Sequence, residues 1–199
     1  MKSMPLITRS IFAALVLAVT SGCSTTMSPV PVVQAHVTGG QVLPHRAVLV
    51  LSQELADYKH EFHLVGGTEV YPIGAALQDY ASNVTASAFQ QIDIVSSEEK
   101  AASLTADDLI LIPRAVKSDT SFGHGQYAIT IVVEWTAKNR ASQNTVWLKT
   151  ITANATEEMG SAFTIFKHRR LLFQKAFDEL NPQTYKAFEE AREFRGGQP

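Results

Sequence analysis

The pattern of hydrophobic and polar positions divides the chain into an apolar leader, a stretch without periodicity and a segment that mixes strand and helix patterns. The leader's apolar run, 11–19, holds nine residues. That is too short to cross the roughly 30 Å hydrocarbon core of a bilayer, which takes about 20 residues. Lys2 and Arg9 flank its start, and small residues follow it. Residues 1–22 are therefore typical of an export signal peptide.

The residue after this leader is Cys23, the one cysteine of the sequence. The run Ser21-Gly22-Cys23 resembles the bacterial lipobox, in which the chain is cut before a cysteine that carries acyl chains. We expect Cys23 to be lipidated and to hold the protein on a membrane through those chains. The alternative is a buried free cysteine. Ser24 resembles the sorting signal for the outer membrane, which predicts anchoring there with the domain facing the periplasm.

Residues 23–46 are rich in serine, threonine, proline and glycine and show no sustained periodicity. This composition predicts a flexible tether between the lipid and a folded domain. The apolar run 47–51 is typical of a strand that is buried on both faces. We therefore place one folded domain at 47–199.

Within that domain the pattern alternates irregularly between strands and helices. An apolar stripe at three- and four-residue steps predicts a helix over 73–91, and another predicts helical structure from Phe166 that is interrupted at Asn181-Pro182. Strands are expected at 61–65, 68–71, 92–95, 109–112, 127–136 and 145–156, the last two forming a long antiparallel hairpin. This order predicts an α+β fold, with helices packed on one face of a mainly antiparallel sheet.

The clearest alternation runs from Tyr127 to Thr136. It places Ile131, Val133 and Trp135 on the face that the helices cover and Thr130, Val132 and Glu134 on the other. No second helical layer is expected over the outer face. We interpret Thr130, Val132 and Glu134 as a candidate partner-binding surface, the alternative being an ordinary solvated face.

Composition and local motifs exclude several classes of site. A net charge of -2 argues against a non-specific nucleic-acid binder, and one cysteine excludes an internal disulfide framework. His60-Glu61-Phe62-His63 departs from the zinc motif His-Glu-x-x-His, and its spacing puts the rings on opposite faces of a strand. Gly123-His124-Gly125 precedes a strand, which favours a hairpin turn over a dinucleotide site. We expect neither a metal nor a cofactor.

One basic cluster stands out, Lys167-His168-Arg169-Arg170. The pattern favours a solvated turn of helix for these residues. The alternative is a contact with the phosphates of anionic lipid.

Taken together, the lipobox at Cys23 and the order of elements in 47–195 resemble small outer-membrane lipoproteins of the YajG type, the LptE type and the TolB amino-terminal-domain type. The resemblance implies a non-enzymatic envelope role with a protein partner that differs between members. We therefore expect a binding or assembly accessory of an envelope complex, its partner and oligomeric state being open. One alternative is a lipid-anchored hydrolase whose site gathers His60, His63 or Asp108. Another is a carrier with an apolar pocket between sheet and helices.

Overall fold

The computed structural model describes residues 23–26, 42–64, 67–104, 109–161 and 164–195. Within these ranges the strands are β1 (Cys23–Thr26), β2 (Leu43–Val50), β3 (Lys59–Leu64), β4 (Gly67–Pro72), β5 (Phe89–Val95), β6 (Leu109–Gly123), β7 (Gln126–Asn139) and β8 (Thr145–Glu158). The helices are α1 (Gln53–Ala56), α2 (Gly74–Ala88), α3 (Glu98–Ser103) and α4 (Ile165–Glu190), followed by a 3-10 turn at Arg192–Phe194.

The main sheet has five strands in the order β5-β2-β6-β7-β8. β2 runs parallel to both β5 and β6, whereas β6, β7 and β8 form an antiparallel meander. Crossover connections that contain α2 and α3 allow the parallel pairs, because parallel neighbours cannot be joined by a tight turn. The single-domain α+β fold predicted from the sequence is confirmed, with a sheet that is mixed rather than mainly antiparallel at its β5 end.

The two long helices, α2 and α4, pack on one face of this sheet as predicted. Ile131, Val133 and Trp135 point into that layer and are fully buried, which confirms the inward face of β7. The opposite face carries a smaller cluster, in which Ala101 of α3 packs on neighbouring side chains of β2 and β6, namely Val48, Val50 and Ile110. Among the described helices, cover on that side is limited to this end of the sheet.

A second sheet, in the order β1-β4-β3, lies against the amino-terminal half of α4. The ring of Tyr71 in β4 lies 5.2 Å from that of Phe173 in α4. Phe62 in β3 lies 5.4 Å from Tyr127 in β7 and links the two sheets. The small sheet therefore extends the same core.

The predicted tether at 23–46 needs correction at both ends. Residues 23–26 form β1, which pairs parallel to β4 with Cys23 opposite Gly67. The domain begins at Leu43 rather than at Ala47, and the Leu43 side chain is only 5% exposed. A short polar edge strand has no hydrophobic pattern of its own, since its pairing comes from the neighbouring strand. The middle of the tether, 27–41, lies outside the described residues.

Helix α4 is continuous from Ile165 to Glu190, so the predicted break at Asn181-Pro182 is wrong. Proline in a helix removes one backbone hydrogen bond and costs roughly 3 kcal/mol. Buried side chains continue on both sides of Pro182, at Leu180 and at Phe188. Their burial offsets that cost, because each contributes about 1.5–3 kcal/mol.

Strand β6 is much longer than the predicted 109–112. Its pairing with β2 ends at Leu111, so at Pro113 the strand has a neighbour only on the β7 side. Proline is tolerated at such an edge position because it has no N–H to donate to a second neighbour. A register shift follows between Ala115 and Lys117. The turn into β7 places His124 at φ 50° and Gly125 at φ 77°, the backbone of a tight hairpin turn. The predicted turn is confirmed.

Candidate functional site

The two histidines proposed for chemistry lie on opposite faces of β3, as their spacing predicts. His60 is fully buried, and its Nδ1 lies 2.9 Å from the hydroxyl oxygen of Ser118. Burial lowers its pKa to about 4, against a weaker opposing effect of the Ser118 contact. His63 is exposed and pairs with Thr68. Asp108, the third residue of the hydrolase alternative, lies outside the described residues.

Metal-ligating side chains do not converge anywhere in the part of the chain that the structure describes. His60 and His63 cannot share an ion because one faces the core and the other faces solvent. The ring of His60 is instead packed edge-on against Phe173, with centroids 5.3 Å apart. This arrangement is that of a neutral core histidine.

A crevice of about 570 Å³ opens where the parallel strands β2 and β5 end, between α1 and α3. Crevices at this edge commonly bind ligands in sheets with parallel strands. Its charged side chains are largely engaged, because Glu54 lies 3.4 Å from Arg114 and Glu98 pairs with Lys138. Ser52 and Ser97 cap the first turns of α1 and α3, so the described lining offers no free pair of acid and base.

The outer face of the β6–β7–β8 meander is the third candidate. Thr130, Val132 and Glu134 lie there on β7, half-buried and pointing away from α2 and α4. The register places Thr152 beside Val132 and Thr150 beside Glu134. The face is rich in hydroxyl groups, with threonines from two strands at positions 130, 136, 150, 152 and 156.

The charged neighbours of Thr130, Val132 and Glu134 lie on the β6 side. Asp119 pairs with Lys117 there, and Arg114 is held by Glu54. On the β8 side the neighbours are uncharged, and the Thr130 hydroxyl donates to the Asn154 amide oxygen at 2.8 Å. This face thus carries aliphatic and hydroxyl groups around the carboxylate of Glu134, with paired charges along its β6 border.

Side chains of helix α4 occupy part of the β8 edge of the main sheet. The backbone N–H of Asn154 in β8 donates to the Glu179 carboxylate at 2.8 Å, and the Lys175 ammonium donates to the Thr156 carbonyl at 3.2 Å. These backbone groups point away from β7 and would otherwise be open to a further strand. In this half of β8 the backbone groups at the edge are therefore already hydrogen-bonded, whereas the outer face of the sheet remains accessible.

A buried ion pair, which the sequence did not indicate, joins α4 to the small sheet. Arg169 is 2% exposed and pairs with Glu69 of β4. Its guanidinium carbon lies 4.4 Å over the Phe62 ring, and it donates to the Tyr127 hydroxyl at 3.2 Å. One member of the basic cluster therefore belongs to the core.

The predicted lipid anchor at Cys23 lies at the boundary between the predicted signal peptide and the first described strand. The leader 1–22 lies outside the described residues, and Cys23 is the first residue of β1. None of the helices in the described ranges has the length and apolarity to cross a membrane.

Comparison with known proteins supports the fold of this chain and does not identify its family. No protein-family model matches the chain, and no curated protein matches it by sequence. Among solved structures it is similar to a Xanthomonas campestris protein of the family DUF330, with 13% identity, 82% of this chain and 92% of that chain covered, and a TM-score of 0.51. That similarity supports the α+β architecture described above.

The similar structures also include bacterial lipoproteins. A minor lipoprotein from Acinetobacter baumannii shares 13% identity, with 80% of this chain and 100% of that chain covered and a TM-score of 0.44. A lipoprotein from Neisseria meningitidis shares 10% identity, with 66% and 97% covered and a TM-score of 0.33. The more specific resemblance to YajG-type or LptE-type proteins stays a prediction.

Proposed function

We propose that this protein is a lipoprotein anchored at Cys23 in the outer membrane, facing the periplasm, and that it acts as a non-enzymatic binding or assembly accessory of an envelope complex. The observation that carries the proposal is the outer face of the β6–β7–β8 meander. Thr130, Val132 and Glu134 lie at its centre, and the described helices pack on the other face or at the far end of the sheet.

The chemistry of this face favours a protein partner with a flat, weakly charged surface. Threonine and valine are cheap to desolvate compared with ionised groups, whose burial requires compensating pairs. The carboxylate of the set, Glu134, lies opposite Arg114 in the strand pairing. The threonine hydroxyls both donate and accept, so they can satisfy backbone or amide groups that a partner brings. The paired charges on the β6 side form a polar rim of the kind that surrounds interface centres.

Photo-crosslinking from single positions tests this proposal in cells. We expect a photo-reactive amino acid at Thr130 or Thr152 to form one discrete adduct with another envelope protein. The same amino acid at Asp178, an exposed position on α4, provides the matched control and should form none. Absence of an adduct at both outer-face positions, or equal adducts at all three, would contradict the proposal.

A charge-introducing variant then tests the identified partner. The pair Thr130→Lys and Val132→Lys should weaken recovery of that partner at least about ten-fold, because unpaired ammonium groups would be buried at the contact. The variant should still unfold cooperatively and lose no more than about 1–2 kcal/mol of stability, since both side chains are half-buried on the outer face and Val132 lies opposite Lys117. Unfolding of the variant would show that the two faces of β7 are assigned the wrong way round.

A further inference from the structure

We propose that the first turns of α4 form a membrane-contact patch, made of Phe166, Lys167, Arg170 and Leu171, that lies against the anionic phospholipid surface to which the protein is anchored. The patch goes beyond attachment through acyl chains, because it fixes how the domain lies on the bilayer. It depends on anchoring at Cys23 only for that orientation, and its affinity for lipid can be measured without any acyl chain.

The patch combines two exposed apolar side chains with two exposed cations on one side of the helix. Phe166 is 49% exposed and Leu171 is 38% exposed. Steps of four residues join Phe166 to Arg170 and Lys167 to Leu171, so the pairs lie one turn apart on the helix surface. Together with Gln174 these side chains line a shallow depression of about 370 Å³.

The two neighbouring basic residues are already engaged elsewhere. Arg169 is buried against Glu69, and the His168 ring nitrogen Nδ1 lies 3.0 Å from the Glu157 carboxylate. No ion pair joins Lys167 or Arg170 to another residue in the described ranges. The cluster is therefore not a uniform solvated turn, since the fold buries one residue and leaves two cations facing outward beside Phe166 and Leu171.

The position of Cys23 places the lipid anchor close to this end of α4. In the parallel ladder between β1 and β4, Cys23 lies opposite Gly67, and Thr25 lies opposite Glu69. From the strand rise and the spacing between strands, the Cys23 Cα is about 8 Å from that of Glu69. Glu69 contacts Arg169, the helical neighbour of Arg170. Acyl chains on Cys23 would thus bring the patch to the bilayer surface.

The composition of the patch suits an anionic bilayer better than a protein groove. Basic side chains near an anionic membrane surface are attracted to its headgroups, and aromatic and aliphatic side chains bury themselves at the acyl boundary. A lysine and an arginine that lie between a phenylalanine and a leucine supply both contributions. The rest of the domain carries more acid than base, so the attraction is local to this patch.

Vesicle sedimentation of the non-acylated chain, residues 23–199 with Cys23→Ser, tests the proposal. The probes are vesicles of phosphatidylethanolamine with phosphatidylglycerol and vesicles of phosphatidylcholine alone. We expect binding to the anionic vesicles only, and we expect it to weaken at about 0.5 M salt because the charges are then screened within a few ångströms. Lys167→Glu with Arg170→Glu should lower the affinity by at least about twenty-five-fold, since the loss of each positive charge near the surface costs about five-fold and the new carboxylates add repulsion.

Two further variants distinguish binding through the patch from non-specific binding to vesicles. Phe166→Ser with Leu171→Ser should reduce binding several-fold, with an unchanged thermal midpoint. Leu148→Ser with Lys149→Glu alters the same residue types at exposed positions on β8 and should leave binding unchanged. The proposal is overturned if the wild-type chain does not bind anionic vesicles, or if the Lys167 and Arg170 variant binds them with the affinity of the wild type. It is also overturned if the β8 variant loses as much affinity as the Lys167 and Arg170 variant. Each of these results is independent of whether Cys23 is acylated in cells.

Discussion

The indole N–H of Trp135 donates a hydrogen bond to the hydroxyl of Tyr80 at 3.1 Å, which ties strand β7 to helix α2 inside the core. The Tyr80 hydroxyl also bonds Thr184 of α4, so one oxygen connects the sheet to both long helices. Burial raises the pKa of Tyr80 to about 12. The phenol therefore stays protonated and can donate to Thr184 while it accepts from Trp135.

Trp135→Ala should lower the free energy of unfolding by about 3–5 kcal/mol, because it leaves a cavity and removes the donor to Tyr80. Trp135→Phe is the matched control and should cost less, since it keeps most of the buried ring and loses chiefly the hydrogen bond. Urea denaturation measures both. A cost for Trp135→Ala below about 1 kcal/mol would contradict the assignment of this face to the core.

Glu69→Gln should cost about 3 kcal/mol, because it leaves the buried guanidinium of Arg169 without its counter-charge. Glu61→Gln, on the neighbouring strand, is the control. Its carboxylate is exposed and 3.7 Å from the His63 ring nitrogen, so we expect a change within about 0.5 kcal/mol. Adding Arg169→Met to Glu69→Gln should recover much of the loss. No recovery in that double variant would show that the pair does not act as a unit.

His60 should make the stability of the domain depend on pH. Its pKa is about 4 in the folded chain and about 6.5 when unfolded. Between these values the unfolded chain binds more protons, so the free energy of unfolding falls as the pH drops from 6.5 to 4, by up to about 3 kcal/mol. His60→Gln should flatten this slope between pH 5 and 6.5, about where carboxylates contribute least. His63→Gln, the exposed control, should retain it, and an equal slope in both variants would rule out His60.

The start of the domain can be tested by truncation. Leu43 is buried and lies opposite Phe89 in the pairing of β2 with β5. A chain that begins at Ala47 should therefore be about 2–3 kcal/mol less stable than one that begins at Val42. Both lack β1, so the comparison isolates the first residues of β2. Equal denaturation midpoints would favour Ala47 as the boundary.

Cys23→Ala should abolish acylation and remove the exported protein from the membrane fraction, because no other residue can form the thioether. Ser24→Ala at the next position should leave acylation intact. Mass spectrometry of the mature amino terminus and fractionation of membranes provide the readout. A wild-type protein without acyl mass would refute the anchor.

The sequence predicted best what depends on local periodicity. Alternation along 127–136 determined both the strand and the face of Trp135, because side chains in a strand repeat every two residues. The sequence did not predict the pairing of β1 with β4, since Cys23–Thr26 has no apolar pattern. It also predicted a break at Pro182, because a local proline signal cannot weigh the burial of Leu180 and Phe188 by distant strands.

For the candidate site, the sequence placed Thr130, Val132 and Glu134 on the outer face of β7, whereas any protein that binds there is a property of another molecule and leaves no pattern in this sequence. The basic cluster shows a second limit. Arg169 and Glu69 are 100 residues apart in the chain, so no local pattern separates the buried arginine from the exposed Arg170. Only the fold distinguishes their roles.

Glu179 and Lys175 give helix α4 a role at the edge of the sheet beyond packing. They form hydrogen bonds with the Asn154 N–H and the Thr156 carbonyl, which an additional strand beside β8 would otherwise form. A second copy of the protein would have to displace both side chains before it could extend the sheet at this half of β8. Growth of the sheet by strand addition at this half of β8 is thereby discouraged.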